Sequence, residues 1–323
     1  MWLSRFLVVL IVVALSVSAE AQPATKIPRI GVLLAGGGEG PGLKALRQGL
    51  RDLGYIEGKN ITIEYRFTKG NLKEISDLAA DLVHKKVDVI ITSGTDLARA
   101  IQQVTTTIPI VLVVTGDPVG TGLVASLARP GGNITGFSIM SPELSGKRLE
   151  LLKEAVPKIE RVGVLWDVLV SDNTLDFKTT QLAARAFGLK LQSLEVRGTE
   201  DLEGAFLVAV KQRLHALVVI GGGIISLNRK RILAFEAENR LPAMHEALSF
   251  AEAGGLMAYG VNLPDLFQRA ATYVDKILKG AKPADLPVEQ PTKFEFIINL
   301  KTANQIGLTI PPNVLVRADK VIK

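Results

Sequence analysis

The chain contains no cysteine. That excludes disulfides, thiolate nucleophiles, thiolate zinc sites and iron–sulfur clusters together, and it leaves no thiol for a bacterial lipid anchor. Histidine is nearly as scarce. His84, His215 and His245 are scattered, with no His-x-x-x-His pair, which speaks against a metal site. Aromatic residues make up 5% of the 323 residues. None interleaves the short basic runs Lys85-Lys86 and Arg229-Lys230-Arg231 as a base-stacking platform would need. These runs lie in helix-like segments and read as solvated helix faces rather than a nucleic-acid groove. Charge of one sign is not concentrated either: 38 basic residues against 32 acidic ones leave +6, spread along the chain. No Gly-x-Ser-x-Gly elbow and no Walker loop is present, so catalysis has no constellation to stand on.

What is there is ordinary globular composition, 47% hydrophobic and 22% charged. The length favours two domains, each able to bury its own core. Met1–Ala21 reads as a secretory signal peptide. Arg5 supplies the positive start, Phe6–Val17 the apolar stretch, and Ala19-Glu20-Ala21 a cleavage site before Gln22. The apolar stretch is shorter than the ~20 residues a membrane-spanning helix needs. The expectation is an exported, soluble protein without a lipid anchor, suited to a Gram-negative periplasm.

Beyond Gln22, apolar strands alternate with amphipathic helices. Strands are expected at Arg29–Leu34, Val87–Thr92, Ile110–Val114, Val162–Trp166 and Leu217–Ile220. Their continuous apolar runs suit parallel strands buried on both faces. Helices are expected at Gly42–Leu53, Leu72–Lys85, Pro142–Val156, Thr174–Phe187, Leu202–Gln212 and Pro264–Leu278. Ser141-Pro142-Glu143 reads as N-cap, N1 proline and first-turn acid. This alternation predicts right-handed βαβ units in an α/β fold.

A coarser pattern repeats. Strand, helix, Leu53-Gly54-Tyr55, alternating strand, helix and buried strand run into Ser93-Gly94; the same order then runs through Phe187-Gly188-Leu189 into Gly221-Gly222-Gly223. Two doubly wound, Rossmann-like lobes are the economical explanation. Three turn-rich segments offer crossings between them: Ala128–Gly136, the chain after Tyr259-Gly260-Val261, and Lys282–Pro291 with its prolines. The expected division is residues 28–138 plus about 262–288 for one lobe, and 139–261 plus about 289–323 for the other, joined by a multi-crossover hinge.

In open α/β sheets, ligands bind beyond the carboxyl ends of strands, and several such ends are marked. The glycine-rich loop Ala35–Gly42 is not a dinucleotide fingerprint, because Pro41 stands where the third glycine belongs. Ser93-Gly94-Thr95-Asp96 ends a buried strand and opens a helix, offering hydroxyls and free amides to an anion, or simply capping the helix. Asp117 either accepts from a ligand ammonium or caps the turn at Pro118. Trp166-Asp167 reads either as aromatic stacking beside an orienting carboxylate or, for Trp166, as core. His245 and Glu246 suit ligand hydrogen bonding better than acid–base work, since no nucleophile accompanies them. Tyr259 follows another strand. His84 and His215 lie beside helix ends and carry no assigned role.

Long stretches of the chain also resemble a known family. They include Leu53-Gly54-Tyr55-Ile56-Glu57-Gly58-Lys59-Asn60-Ile61, Gly116-Asp117-Pro118-Val119-Gly120, the run from Ser126 to Gly136, Gly146-Lys147-Arg148-Leu149-Glu150-Leu151-Leu152, Gly254 to Gly260, and Tyr273 through Leu286–Pro291 to Arg317-Ala318-Asp319. The chain resembles the ABC-transporter substrate-binding family that includes tryptophan- and tyrosine-type binding proteins, with the periplasmic binding protein type I fold. The resemblance implies two hinged lobes closing over a small polar solute, with an amino acid, aromatic or branched, as one candidate. It implies ABC permease and ATPase subunits as partners, membrane contact only through the permease, a monomer, no nucleic acid, no metal, no cofactor and no enzymatic turnover. Ligand contacts are expected at Ser93, Gly94, Thr95, Asp117, Trp166, Asp167, His245, Glu246 and Tyr259. A ligand sensor feeding a signalling receptor, or an exported enzyme on the same fold, are the alternatives. A sugar-repressor-type regulator would need a DNA-reading helix-turn-helix, for which Gln22–Pro28 leaves no room.

Overall fold

The computed structural model describes residues 26–35, 38–68 and 74–323. The expected leader Met1–Ala21 lies outside them, as do Gly36 and Gly37 of the glycine-rich loop and the expected start of the second helix at Leu72.

The first half runs β1 (Arg29–Leu34), α1 (Pro41–Asp52), β2 (Thr62–Phe67), α2 (Ile75–His84), β3 (Val89–Thr92), α3 (Thr95–Val104), β4 (Ile110–Leu112) and β5 (Ile134–Phe137). The second half runs α4 (Ser141–Ala155), β6 (Arg161–Asp167), α5 (Ser171–Ala186), β7 (Lys190–Val196), α6 (Leu202–Lys211) and β8 (Ala216–Val219). It continues through α7 (Gly223–Leu227), α8 (Arg229–Glu238), β9 (Ala243–His245), α9 (Leu248–Glu252) and β10 (Met257–Gly260). The remainder is α10 (Leu263–Leu278), β11 (Val288–Glu289), β12 (Glu295–Asn299), α11 (Leu300–Ile306), α12 (Pro312–Leu315) and β13 (Lys320–Ile322).

These strands form two sheets, ordered β11-β5-β4-β3-β1-β2 and β13-β12-β10-β9-β8-β6-β7. Every pairing is parallel except β10 with β12. Parallel strands covered by helices on both faces have no solvated side, which explains their unbroken apolar runs. Val89, Ile90 and Ile91 of β3 are all fully buried, with Val89 and Ile91 in one core cluster and Ile90 in the cluster on the opposite face. The second sheet is likewise sandwiched, with Val164 in one cluster and Leu165 in the other.

The chain passes between the sheets three times. It leaves β5 for α4, leaves β10 for α10, and leaves β11 for β12. Glu289, expected to start the second unit's last segment, instead pairs with Phe137 in the first sheet. Helix α10 follows a strand of the second sheet yet lies on the first, because Leu266, Phe267, Ala270, Ala271 and Val274 join the cluster built on β1 and α1. Its seat on α1 is unusually close. A Cβ on Gly49 would stand 2.5 Å from the Gln268 carbonyl oxygen and 2.9 Å from the Ala271 methyl.

Gly49→Ala should therefore push α1 and α10 apart and lower stability by about 1–3 kcal/mol, the usual cost of overpacking. Urea unfolding of wild type and variant measures it; an unchanged midpoint would show that the two helices do not pack this tightly.

Candidate functional site

The carboxyl ends of β1, β2, β3 and β4 face those of β6, β8 and β9 across a cavity of about 450 Å3. The two walls differ in chemistry. The first lobe contributes Leu34, Leu43, Phe67, Leu97, Val114 and Phe267, with Ser93, Gly94 and Asp96 at its polar edge. The second contributes Ser141, Arg148, Asp167, Asp172, Asn173, Asp176 and Glu246, with Gly221 to Gly223 between them and with Leu144, Leu169, Val170 and Ile224 as its apolar part. Among the described residues, five carboxylates and one guanidinium are thus the cavity's ionisable groups.

Two helix starts exchange acids across the cleft. The Asp172 carboxylate, in the first turn of α5, accepts from Thr95 Oγ1 at 2.8 Å and from the Gly116 amide at 3.4 Å. In return, Asp96, in the first turn of α3, accepts from the Ser171 amide at 3.0 Å. Each helix start thereby donates to a carboxylate carried by the other, which matches the positive end of a helix dipole. Thr115 Oγ1 lies 2.9 Å from Thr95 Oγ1 and completes the chain. These bonds tie the two lobes together.

Deeper in the second lobe, Arg148 is almost wholly buried. Its Nε donates to the Tyr259 carbonyl at 2.9 Å, and its guanidinium lies 3.7 Å from Glu246. Ser141 Oγ stands 2.8 Å from Asp176 Oδ2 and 2.9 Å from Glu246 Oε1. Glu246 Oε2 accepts from the Gly221 amide at 2.7 Å. Asp176 is 1% exposed, and its Oδ1 has no hydrogen-bond partner. Burial, followed by the charge of Glu246, pushes the Asp176 carboxyl up to about 8, although Arg148 and Ser141 pull the other way. Burial also raises the carboxyls of Asp167 and Asp172. Among the described residues no three His, Asp or Glu side chains are grouped to hold a metal ion.

Of the residues singled out in the sequence, Ser93, Gly94, Asp167 and Glu246 line the cavity. Thr95 stands just behind it, its hydroxyl engaged by Asp172. The other four point elsewhere. Asp117 caps its own turn, accepting from the Gly120 amide at 2.8 Å. Trp166 is core: successive residues of a strand face opposite ways, so Asp167 and Trp166 cannot both reach the ligand side. The indole stacks on Phe177 with centroids 4.8 Å apart and donates to Ser193. His245 obeys the same alternation opposite Glu246. It is fully buried, pairs with Glu236 at 3.2 Å and stacks on Phe250. Tyr259 offers its carbonyl to Arg148, while its ring packs near Phe294 and Phe296.

Ser141 is also not the N-cap it was expected to be. Met140, at φ 52°, takes that place, and Ser141 is the first helical residue, freeing its hydroxyl for the two carboxylates. Asp172, Asp176 and Arg148 are not among the site residues expected from the sequence. Asp172 and Asp176 are four apart, hence on one helix face, but starting the helix at Thr174 left Asp172 in a loop. Arg148 sat inside a stretch noted only for its resemblance.

Two outcomes follow from this geometry. Asp172→Ala deletes the carboxylate shared by Thr95 and Gly116. A hydrogen bond to a charged group contributes about 1.5–3 kcal/mol, so the closed-to-open ratio should fall by about 10- to 100-fold, read as a larger radius of gyration in small-angle X-ray scattering. The Asp176 carboxyl ionises at higher pH in the native state than when unfolded, so the native state holds the extra proton between those values. Stability from this group is therefore present at low pH and is lost as pH rises towards about 8. Unfolding profiles should show that decline in wild type and not in Asp176→Asn; identical profiles would contradict it.

Comparison with known proteins agrees with this architecture. The tyrosine-binding protein of Clostridioides difficile (strain R20291) is 26% identical over 275 residues, covering 84% of this chain and 79% of that protein. The ABC domain from Streptococcus pneumonia, solved in complex with L-Trp, superposes with a TM-score of 0.82 at 26% identity, covering 91% of this chain and 99% of that one. The ligand-free, open structure of a substrate-binding protein from Clostridium difficile gives 0.64 at 25% identity, over 92% and 99% of the two chains. At near-equal identity, the chain thus superposes better on the L-Trp complex than on the open protein. The family model described as ABC transporter substrate binding protein matches residues 32–322, and the chain belongs to that family.

Proposed function

We propose that the cleft binds an amino acid with a large apolar side chain, aromatic or branched, and presents it to the permease and ATPase subunits of an ABC importer. The observation that carries this reading is the gathering of four of the cavity's carboxylates on the second lobe, opposite the Leu43, Phe67 and Phe267 patch of the first. About 450 Å3 lies within the roughly 300–1,000 Å3 range of small-molecule sites. An amino acid has one cationic end and one side chain, and the two walls meet them separately. The side chain packs against Leu43, Phe67 and Phe267 of the first lobe. The ammonium lies against Asp176 and Glu246 of the second. The carboxylate sits at Ser93-Gly94, where the amides opening α3 favour an anion. The ligands in the names of the two relatives, tyrosine and L-Trp, are of this class.

In this reading the lobes are residues 28–138 with 262–289 and residues 139–261 with 290–323, and the three crossings are the hinge. A ligand touching both lobes binds the closed form better than the open one, so it shifts the population towards closure. Delivery takes place outside the cytoplasmic membrane, in the periplasm, after removal of the expected leader. Among the described residues no helix is long and apolar enough to cross a membrane. The ligand leaves unchanged: the hydroxyls of Ser141 and Thr95 are bound to carboxylates, and His245 is turned into the core.

A thermal-shift panel of the twenty L-amino acids on the mature protein tests the reading. A ligand at 100 times its Kd should add about 2.7 kcal/mol to stability, with aromatic or branched amino acids giving the largest shifts. Phe67→Ala should weaken the best ligand by about 2 kcal/mol, the value of one buried aromatic ring. A panel without any shift would reject the amino-acid assignment.

A further inference from the structure

We propose that ligand capture exchanges a proton for an ammonium group: the Asp176–Ser141–Glu246 cluster holds one proton before the ligand arrives and releases it to solvent as the ammonium takes its place beside Asp176 Oδ1. This rests on the amino-acid reading above.

Hydrogen counting gives the first ground. Ser141 Oγ lies within hydrogen-bond distance of one oxygen of Asp176 and one of Glu246. A hydroxyl carries a single proton and can donate to only one of them. The other contact needs a proton of its own, and a carboxyl group facing it is the donor that can supply one. Arg148 Nη1, 3.3 Å from the same Oγ, uses an acceptor position of the hydroxyl and leaves the count unchanged.

Charge gives the second. Arg148 contributes +1, while Glu246 and Asp176 would contribute −2 together. With one proton on the carboxylate pair the cluster is neutral. Among the described residues, the groups facing Asp176 from the neighbouring elements do not supply another cation. Asp172 shares its helix, Asp167 ends β6, Asp96 opens α3, and all three line the same cavity as acids. Burial and the Glu246 charge act on the Asp176 carboxyl in the same sense, towards the protonated form. When R–NH3+ enters, the carboxyl ionises to a carboxylate, the proton leaves to water, and the cluster is again neutral with the ammonium included. Asp176 Oδ1, buried and without a partner, is the acceptor that this ammonium would satisfy.

Two measurements on the full mature chain test the exchange. Infrared difference spectra of the ligand-free protein at neutral pH should contain a protonated-carboxyl band that Asp176→Asn removes, or Glu246→Gln if the proton resides there. Titration calorimetry with whichever L-amino acid gives the largest thermal shift, run in buffers of differing ionisation enthalpy, should report release of about one proton near pH 6.5 and progressively less as the pH passes about 8. Affinity should rise by up to about tenfold per pH unit until about pH 8 and then level off. Asp176→Asn should bind about 100-fold more weakly or worse, without proton release. Absence of the carboxyl band, or tight binding with no proton released at pH 6.5, overturns the exchange while leaving the amino-acid reading standing. Presence of the band with no amino acid bound overturns that reading, and the exchange with it.

Discussion

A single buried cation sets the terms for everything around it. Arg148 is almost shut off from water, so its charge must largely be balanced inside the second lobe. Glu246 and Asp176 together offer it two carboxyl groups, one more than its charge requires, and in the proposed exchange a proton occupies the second until a ligand ammonium replaces it. The scaffold keeps the arrangement stiff. The Tyr259 carbonyl at β10 fixes the guanidinium, and the Gly221 amide beyond β8 fixes Glu246. Ser141 is held at the start of α4 immediately after the left-handed Met140. That last position is also where the chain first passes from one sheet to the other. The polar centre of the site and one strand of the hinge are therefore neighbours in sequence.

The other wall is built on a different principle. Its apolar side chains come from strand ends and from α10, which crosses back from the second half to lie on the first. The reciprocal bonds of Asp172 and Asp96 across the cleft show how closure is shaped: each helix start presents a donor to the partner lobe and an acid in return. Closure thus has interactions of its own, to which a ligand adds, and the balance between the two decides how much differential affinity remains for recognition.

Much of this was legible before any coordinates. Buried parallel strands announce themselves because helices cover both faces, so β1 matched its expected bounds and β4, β6 and β8 shifted by two residues or fewer. Strand ends followed by small polar residues pointed to Ser93, Gly94, Asp167 and Glu246, which do line the cavity. What failed was orientation. Trp166 and Asp167, like His245 and Glu246, are adjacent, and only one of each pair can face the cleft; composition does not say which. Aromatic and imidazole chemistry drew attention to the core-facing member, while the acid beside it was the one on the cavity. Asp172 and Asp176 escaped for another reason: their importance comes from the fold bringing α5 against α3 and α4, a contact between segments far apart in sequence. Ser141 shows the subtler form of the same limit. A serine before a proline reads as a cap, and only the left-handed residue ahead of it frees the hydroxyl for another task.

The most direct test of the account is a crystal structure of the mature protein with a bound amino acid. The account places the ligand between the two sheets, its ammonium within hydrogen-bond distance of Asp176 Oδ1 and its side chain against Phe67. A ligand seated outside the interlobe cavity, or lying in it with the carboxylate rather than the ammonium toward Asp176 and Glu246, would contradict it.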